Sequence, residues 1–144
     1  MTKQEAKTYL TGIKPELVHS MYDADWDYIP WTVNLEKISG GYHQSQLKQW
    51  VKELRSGVFK QGNTFLHLEG QFCCVGVLYY CVGNVPKSKL GRNKTPTFEG
   101  FFHSVNVFQE LKTQKADGIF YKMNDNFKLS FNQIADFIEH FLIV

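Results

Sequence analysis

The sequence predicts a single α+β domain: a small, mostly antiparallel sheet packed against two or three helices, with the C-terminal helix docked on the core. Three observations carry this expectation. Segments 45–56 and 131–142 place apolar residues at the three-and-four spacing of a helix that buries one face. Between them lie β-branched and aromatic runs, 64–68 and 71–82, separated by the turn dipeptide Glu69–Gly70. The chain has 144 residues, 43% hydrophobic and 21% charged, which suits one domain with one core. Its 12 Phe, 7 Tyr and 3 Trp supply large areas to bury.

Taken in order, residues 3–11 read as a short helix ending near Gly12, and Pro15 suits the first position of a second helical turn. The stretch DADWDYIPWTV mixes turn and aromatic residues and carries no clear period, and Gly40–Gly41 reads as a break. In SQLKQWVKELRSG, Leu47, Trp50, Val51 and Leu54 form one stripe; Ser45 is the expected N-cap and Gly57 the residue just past the end. Lys52 and Arg55 sit in the last turns, where cations complement the helix dipole. TFLHL, 64–68, reads as a strand. Segment 72–82 leans towards a helix capped at Gly83, with a strand kept open by its valines and tyrosines. Residues 83–97 read as a loop, 98–111 as aromatic and then helical, 118–121 as a strand or a helix end, and 124–126 as a turn. The final helix has the strongest local signals. Ser130 and Gln133 form a capping box, Leu129 and Ile134 a hydrophobic staple, and Phe131, Ile134, Ala135, Ile138, Phe141 and Leu142 a wide apolar face.

Several function classes fall away. A net charge of +2 is too small to argue for nucleic acid. The N-terminus is polar, so no signal peptide is expected, and no apolar run reaches the ~18 residues that span a bilayer. Three cysteines, an odd and low count, point to reduced thiols in a cytosol. Asp23, Asp25 and Asp27 alternate as in a calcium loop, but Tyr28 and Asn34 stand where that loop needs Gly and Glu. GRNKTPT lacks the G-K pair of a phosphate loop. FNQIADFIE is followed only by HFLIV, too little for a recognition helix.

The cysteines in QFCCVGVLYYCV remain. Cys74 and Cys81 are about 10 Å apart along a helix or about 23 Å along a strand, beyond the ~7 Å a disulfide spans. Spacings of one and seven do not suit zinc, and no metal or other cofactor is expected. As an enzyme, the chain would use Cys73 or Cys74 as nucleophile, with His103 or His67 as base and Asn124 or Asp125 to orient it. Cys73 follows turn residues, so it can lie at a helix start, where thiolates are stabilised. Against this, the segment is apolar almost all round, and free cysteines usually act as small core hydrophobes. Core filling is the favoured reading, and a non-enzymatic binder the favoured function. Its candidate contacts are Trp26, Tyr28 and Trp31 among carboxylates, and the basic loop Lys87, Lys89, Arg92 and Lys94. That loop is also the one route to weak phosphate or nucleic-acid binding.

The blocks WVKELRSGVFKQG (50–62), QFCCVGVL (71–78) and MNDNFKLSFNQIADFIE (123–139) together resemble a family of small uncharacterised bacteriophage and prophage proteins. Its pattern is W-x-x-x-L-R-S-G, then F-C-C-L-G-V-L, then L-N-D with a closing F-x-E-I-A-D-x-I-E helix. Where that family often carries Cys-Asp, this chain has Tyr79–Tyr80. The resemblance implies a phage origin and a bacterial cytosol; the binder reading adds a host protein or small ligand as the expected partner, and the lack of a long apolar run leaves no membrane expected. The resemblance brings no activity. It also divides the single domain into a 45–144 core and an N-terminal extension, 1–44.

Overall fold

The computed structural model describes residues 4, 8, 9, 11, 12, 40–91 and 116–144. The first long element is α1, Gly41–Arg55. It starts four residues earlier than Ser45. Gly40 is the N-cap at φ 117°, a conformation open to glycine, and its carbonyl accepts from the Gln44 N–H. The expected break is thus the helix start. The stripe is as read: Leu47, Trp50, Val51 and Leu54 are all buried, and Gly57 follows the end at φ 75°.

Three two-residue strands come next: β1, Lys60–Gln61; β2, His67–Leu68; β3, Gln71–Phe72. Their order is β1-β3-β2. The β2–β3 pair is antiparallel, in register His67↔Phe72, and Glu69 and Gly70 link it with φ of 51° and 80°. Two positive φ angles are what a tight hairpin needs to match the twist of its strands. The β1–β3 pair is parallel, so the sheet is mixed. The strand read at 64–68 contracts to its last two residues. Thr64 has φ 69°, the Phe65 N–H turns onto the Asn63 carbonyl, and the Leu66 N–H bonds the Gly91 carbonyl instead of a strand partner.

Chain 72–82 is neither all helix nor all strand. Phe72 ends β3, Cys73 is an N-cap, α2 runs Cys74–Val77, and the chain then widens to a π-helix over Leu78–Val82. Gly83 ends it with a right-handed φ of −84°; the left-handed residue is Asn84. A 3₁₀ turn, Lys87–Lys89, follows. Residues 118–121 belong to α3, Ala116–Asp125, so Asn124 and Asp125 close a helix where a turn was expected.

Last comes α4, Phe131–Phe141. Both capping-box bonds are present: Gln133 N–H to Ser130 Oγ at 3.2 Å, and Ser130 N–H to Gln133 Oε1 at 2.9 Å. Phe131, Ile134, Ala135, Phe137 and Ile138 are buried. At roughly 1.5–3 kcal/mol for each large side chain removed from water, this face ties α4 to the core. It packs on α1, where Arg55 reaches Asp136 at 2.8 Å and Glu139 at 3.0 Å. Trp50, Phe120 and Phe137 stack edge to face through the centre. The described residues of 3–12 are helical, and Tyr9 lays its ring against Phe137, His140 and Phe141 of α4. These elements make one α+β domain around one core.

Candidate functional site: the cysteines and an amide-lined cleft

Cys73 does start a helix, as its sequence context suggests. Its Sγ accepts the Gly76 N–H at 3.3 Å and serves as the cap. A helix start favours thiolate, but burial wins. Cys73 has no exposed surface, and its pKa is pushed up to about 12; the Gly76 and Val75 N–H groups offset this only in part, and the Asp125 carboxylate raises it further. Cys74 is raised well above the ordinary thiol range by burial, then by Cys73 and Asp125; its S–H points at the Phe120 carbonyl, 3.4 Å away. Cys81, half-buried, is also pushed up to about 12, by desolvation and then by Glu53.

Among the described residues, no histidine is hydrogen-bonded to these sulfurs, although Asn124 and Asp125 lie close by. His67 Nε2 accepts the Gly70 N–H at 3.2 Å, and its ring rests 4.7 Å from that of Phe72. His103 lies outside the described residues. Asn124 Oδ1 accepts from the Cys74 backbone N–H at 3.2 Å and from Gln61 Nε2 at 2.9 Å; its Nδ2 donates to the Gly62 carbonyl and to Asp125 Oδ1. All four of its hydrogen-bonding positions are taken. Gln61 also donates to the Leu129 carbonyl and accepts the Phe131 N–H. The two amides form a clasp joining β1, the start of α2, the end of α3 and the start of α4. Asn124 therefore positions backbone rather than an imidazole.

Outside the clasp lies an open cleft of about 520 Å³, within the range of ligand sites. Gln61 and Asn124 form its back wall; Asn63, Thr64 and Gln71 add polar groups, Phe65 and Leu68 add apolar surface, Lys128 adds a cation, and the buried Leu129 also borders it. Gly62 makes room here, since a Cβ on it would stand 2.8 Å from Gln71 Cβ. None of the described lining residues is acidic. The sequence reading found Asn124 but missed Gln61, Asn63 and Gln71. The available signal was QGNT, 61–64, a polar run between two strands.

Of the expected binding residues, Lys87 and Lys89 are exposed on the 3₁₀ turn. Lys87 Nζ sits 5.9 Å over Phe72 and 5.4 Å over Tyr80, covering an aromatic cluster that includes Phe59. Such cation–π contacts make it part of the surface packing. Trp26, Tyr28, Trp31, Arg92 and Lys94 lie outside the described residues. Among the described residues there is no group of three His, Cys, Asp or Glu that could hold a metal, and no helix long and apolar enough to cross a membrane.

Residues 42–89 match the model of a domain of unknown function (DUF8296). The match runs from α1 to the 3₁₀ turn, so it contains the sheet and the cysteines but not Asn124. No curated protein and no solved structure matches the chain.

Proposed function

We propose that this is a non-enzymatic binding protein of bacteriophage origin that engages a host protein or small ligand in the bacterial cytosol. One observation carries the binding reading: among the described residues, a concave cleft with polar groups still unengaged lies beside the Gln61–Asn124 clasp, while the adjacent sulfurs are shielded and bonded to backbone. The phage origin rests on the three sequence blocks 50–62, 71–78 and 123–139. The rival reading, a small hydrolase or transferase using Cys73 or Cys74, needs a thiolate near neutral pH.

Thiol alkylation of the native protein separates the two. For a pKa of about 12 in place of 9.0, the thiolate fraction at pH 7 is about 10⁻⁵ rather than 10⁻². Iodoacetamide should therefore label Cys73 and Cys74 at least ~1,000-fold more slowly than a free thiol until the chain unfolds. The same shift fixes a pH dependence of stability. A folded pKa raised above the unfolded one adds nothing at or below neutral pH and removes stability as pH climbs from 9.0 towards about 12. Rapid labelling with a midpoint below about 8.5 would overturn the binder and favour the enzyme.

A further inference from the structure

Resting on the binding reading above, we infer that the cleft beside β3 takes a neutral peptide segment of a partner protein, holding a backbone amide on Gln71 and an apolar side chain on Leu68 and Phe65. The inference follows from which groups in the cleft are already engaged. Gln61 and Asn124 are locked into their clasp, so the back wall is preorganised and does not turn to a ligand. The Gln71 side-chain amide makes no hydrogen bond among the described residues, and neither does Asn63 Nδ2. Both face the cleft, and the glycine at 62 leaves the space that the Gln71 side chain fills. A primary amide is a planar donor–acceptor pair, and its natural complement is another amide. Charge plays a small part, because no described lining residue is acidic and Lys128 is the one cation among them. Leu68 keeps 47% of its surface exposed although it belongs to a strand, and with the half-buried Phe65 it gives an apolar seat next to the amides. Neutral amides beside an apolar seat match a peptide with an aliphatic side chain better than a phosphate or a metal ion.

The test is a titration of the full ¹⁵N-labelled chain with N-acetyl-leucinamide, followed by amide chemical shifts, with N-acetyl-leucine as the charged control. Saturable shifts are expected at residues 61–71 and 124–129, with weaker binding of the carboxylate probe. Gln71→Ala should weaken the neutral probe by about ten-fold, the worth of one or two neutral hydrogen bonds. Gln71→Glu, which keeps the shape and loses the donors, should weaken it as well; the dispersion of the wild-type spectrum reports whether each variant is folded. The inference is overturned if no saturable shift maps to the cleft, if N-acetyl-leucine binds as tightly, or if a folded Gln71 variant binds like wild type. Any of these leaves the binder reading standing, since that reading falls on a reactive thiol.

Discussion

Replacing Gly76 by alanine should be among the most damaging single-methyl changes in this chain. An ideal Cβ at that position would lie 1.8 Å from the Leu66 carbonyl oxygen, 2.6 Å from its carbon and 3.0 Å from its Cα. A carbon rests no closer than about 3.3 Å to a carbonyl oxygen, so α2 and the β1–β2 loop must part by roughly 1.5 Å. All three contacts are backbone, so no side chain can rotate away. Leu66 is held by its N–H on Gly91 O at 2.7 Å and by its carbonyl under the Cys73 N–H at 3.3 Å. Overpacking typically costs about 1–3 kcal/mol, and weakening two backbone hydrogen bonds adds about 1 kcal/mol each. Alanine returns up to ~1 kcal/mol through helix propensity. The net expectation is a loss of about 2–4 kcal/mol, a large share of the ~5–15 kcal/mol of a typical domain. Urea unfolding followed by the fluorescence of the chain's tryptophans, which include the buried Trp50, measures it. Gly41→Ala is the control, since nothing lies within 4 Å of its Cβ position. If Gly76→Ala unfolds within 1 kcal/mol of wild type, the direct seating of α2 on Leu66 is refuted.

Two further outcomes follow from the same packing. Asn124→Ala strands the Cys74 N–H and the Gly62 carbonyl and should lower the unfolding free energy by about 3 kcal/mol; a loss below 1 kcal/mol in urea melts would show that the clasp is dispensable. The His67 imidazole, desolvated and facing Lys87, is expected to titrate below 6.5 in an NMR pH series. Its folded pKa is depressed, so the unfolded chain binds the proton more readily, and stability falls as pH drops from 6.5 through the folded value. A midpoint at or above 6.5 contradicts that environment.

Local features of the fold were legible in the sequence. The capping box at Ser130, the stripes of α1 and α4, and the Glu69–Gly70 hairpin are encoded within four residues of where they act, and the structure has each. The start of α1 was misread because Gly40 caps through backbone conformation and has no side-chain signature to compete with Ser45. Asn124 and Asp125 were read as a turn because their type suits one, yet tertiary bonds hold Asn124 in the last helical turn. At Cys73 the sequence showed the helix start correctly. Core filling, the favoured reading of the thiols from their apolar surroundings, agrees with the buried Cys73 and Cys74, while Cys81 is only half-buried. The cleft was nearly invisible because Gln61 and Asn124 meet across 63 residues.

The Gln61–Asn124 clasp also bears on where the physical unit begins and ends. Residues 42–89 are the part of the chain that matches a domain model, yet one half of the clasp comes from outside that stretch. Cut loose, the stretch would leave the Trp50 indole without its Phe120 neighbour and an amide of α2 pointing at solvent. The stretch that matches the domain model is therefore smaller than the portion that must fold together, and its missing wall is supplied by α3 and α4.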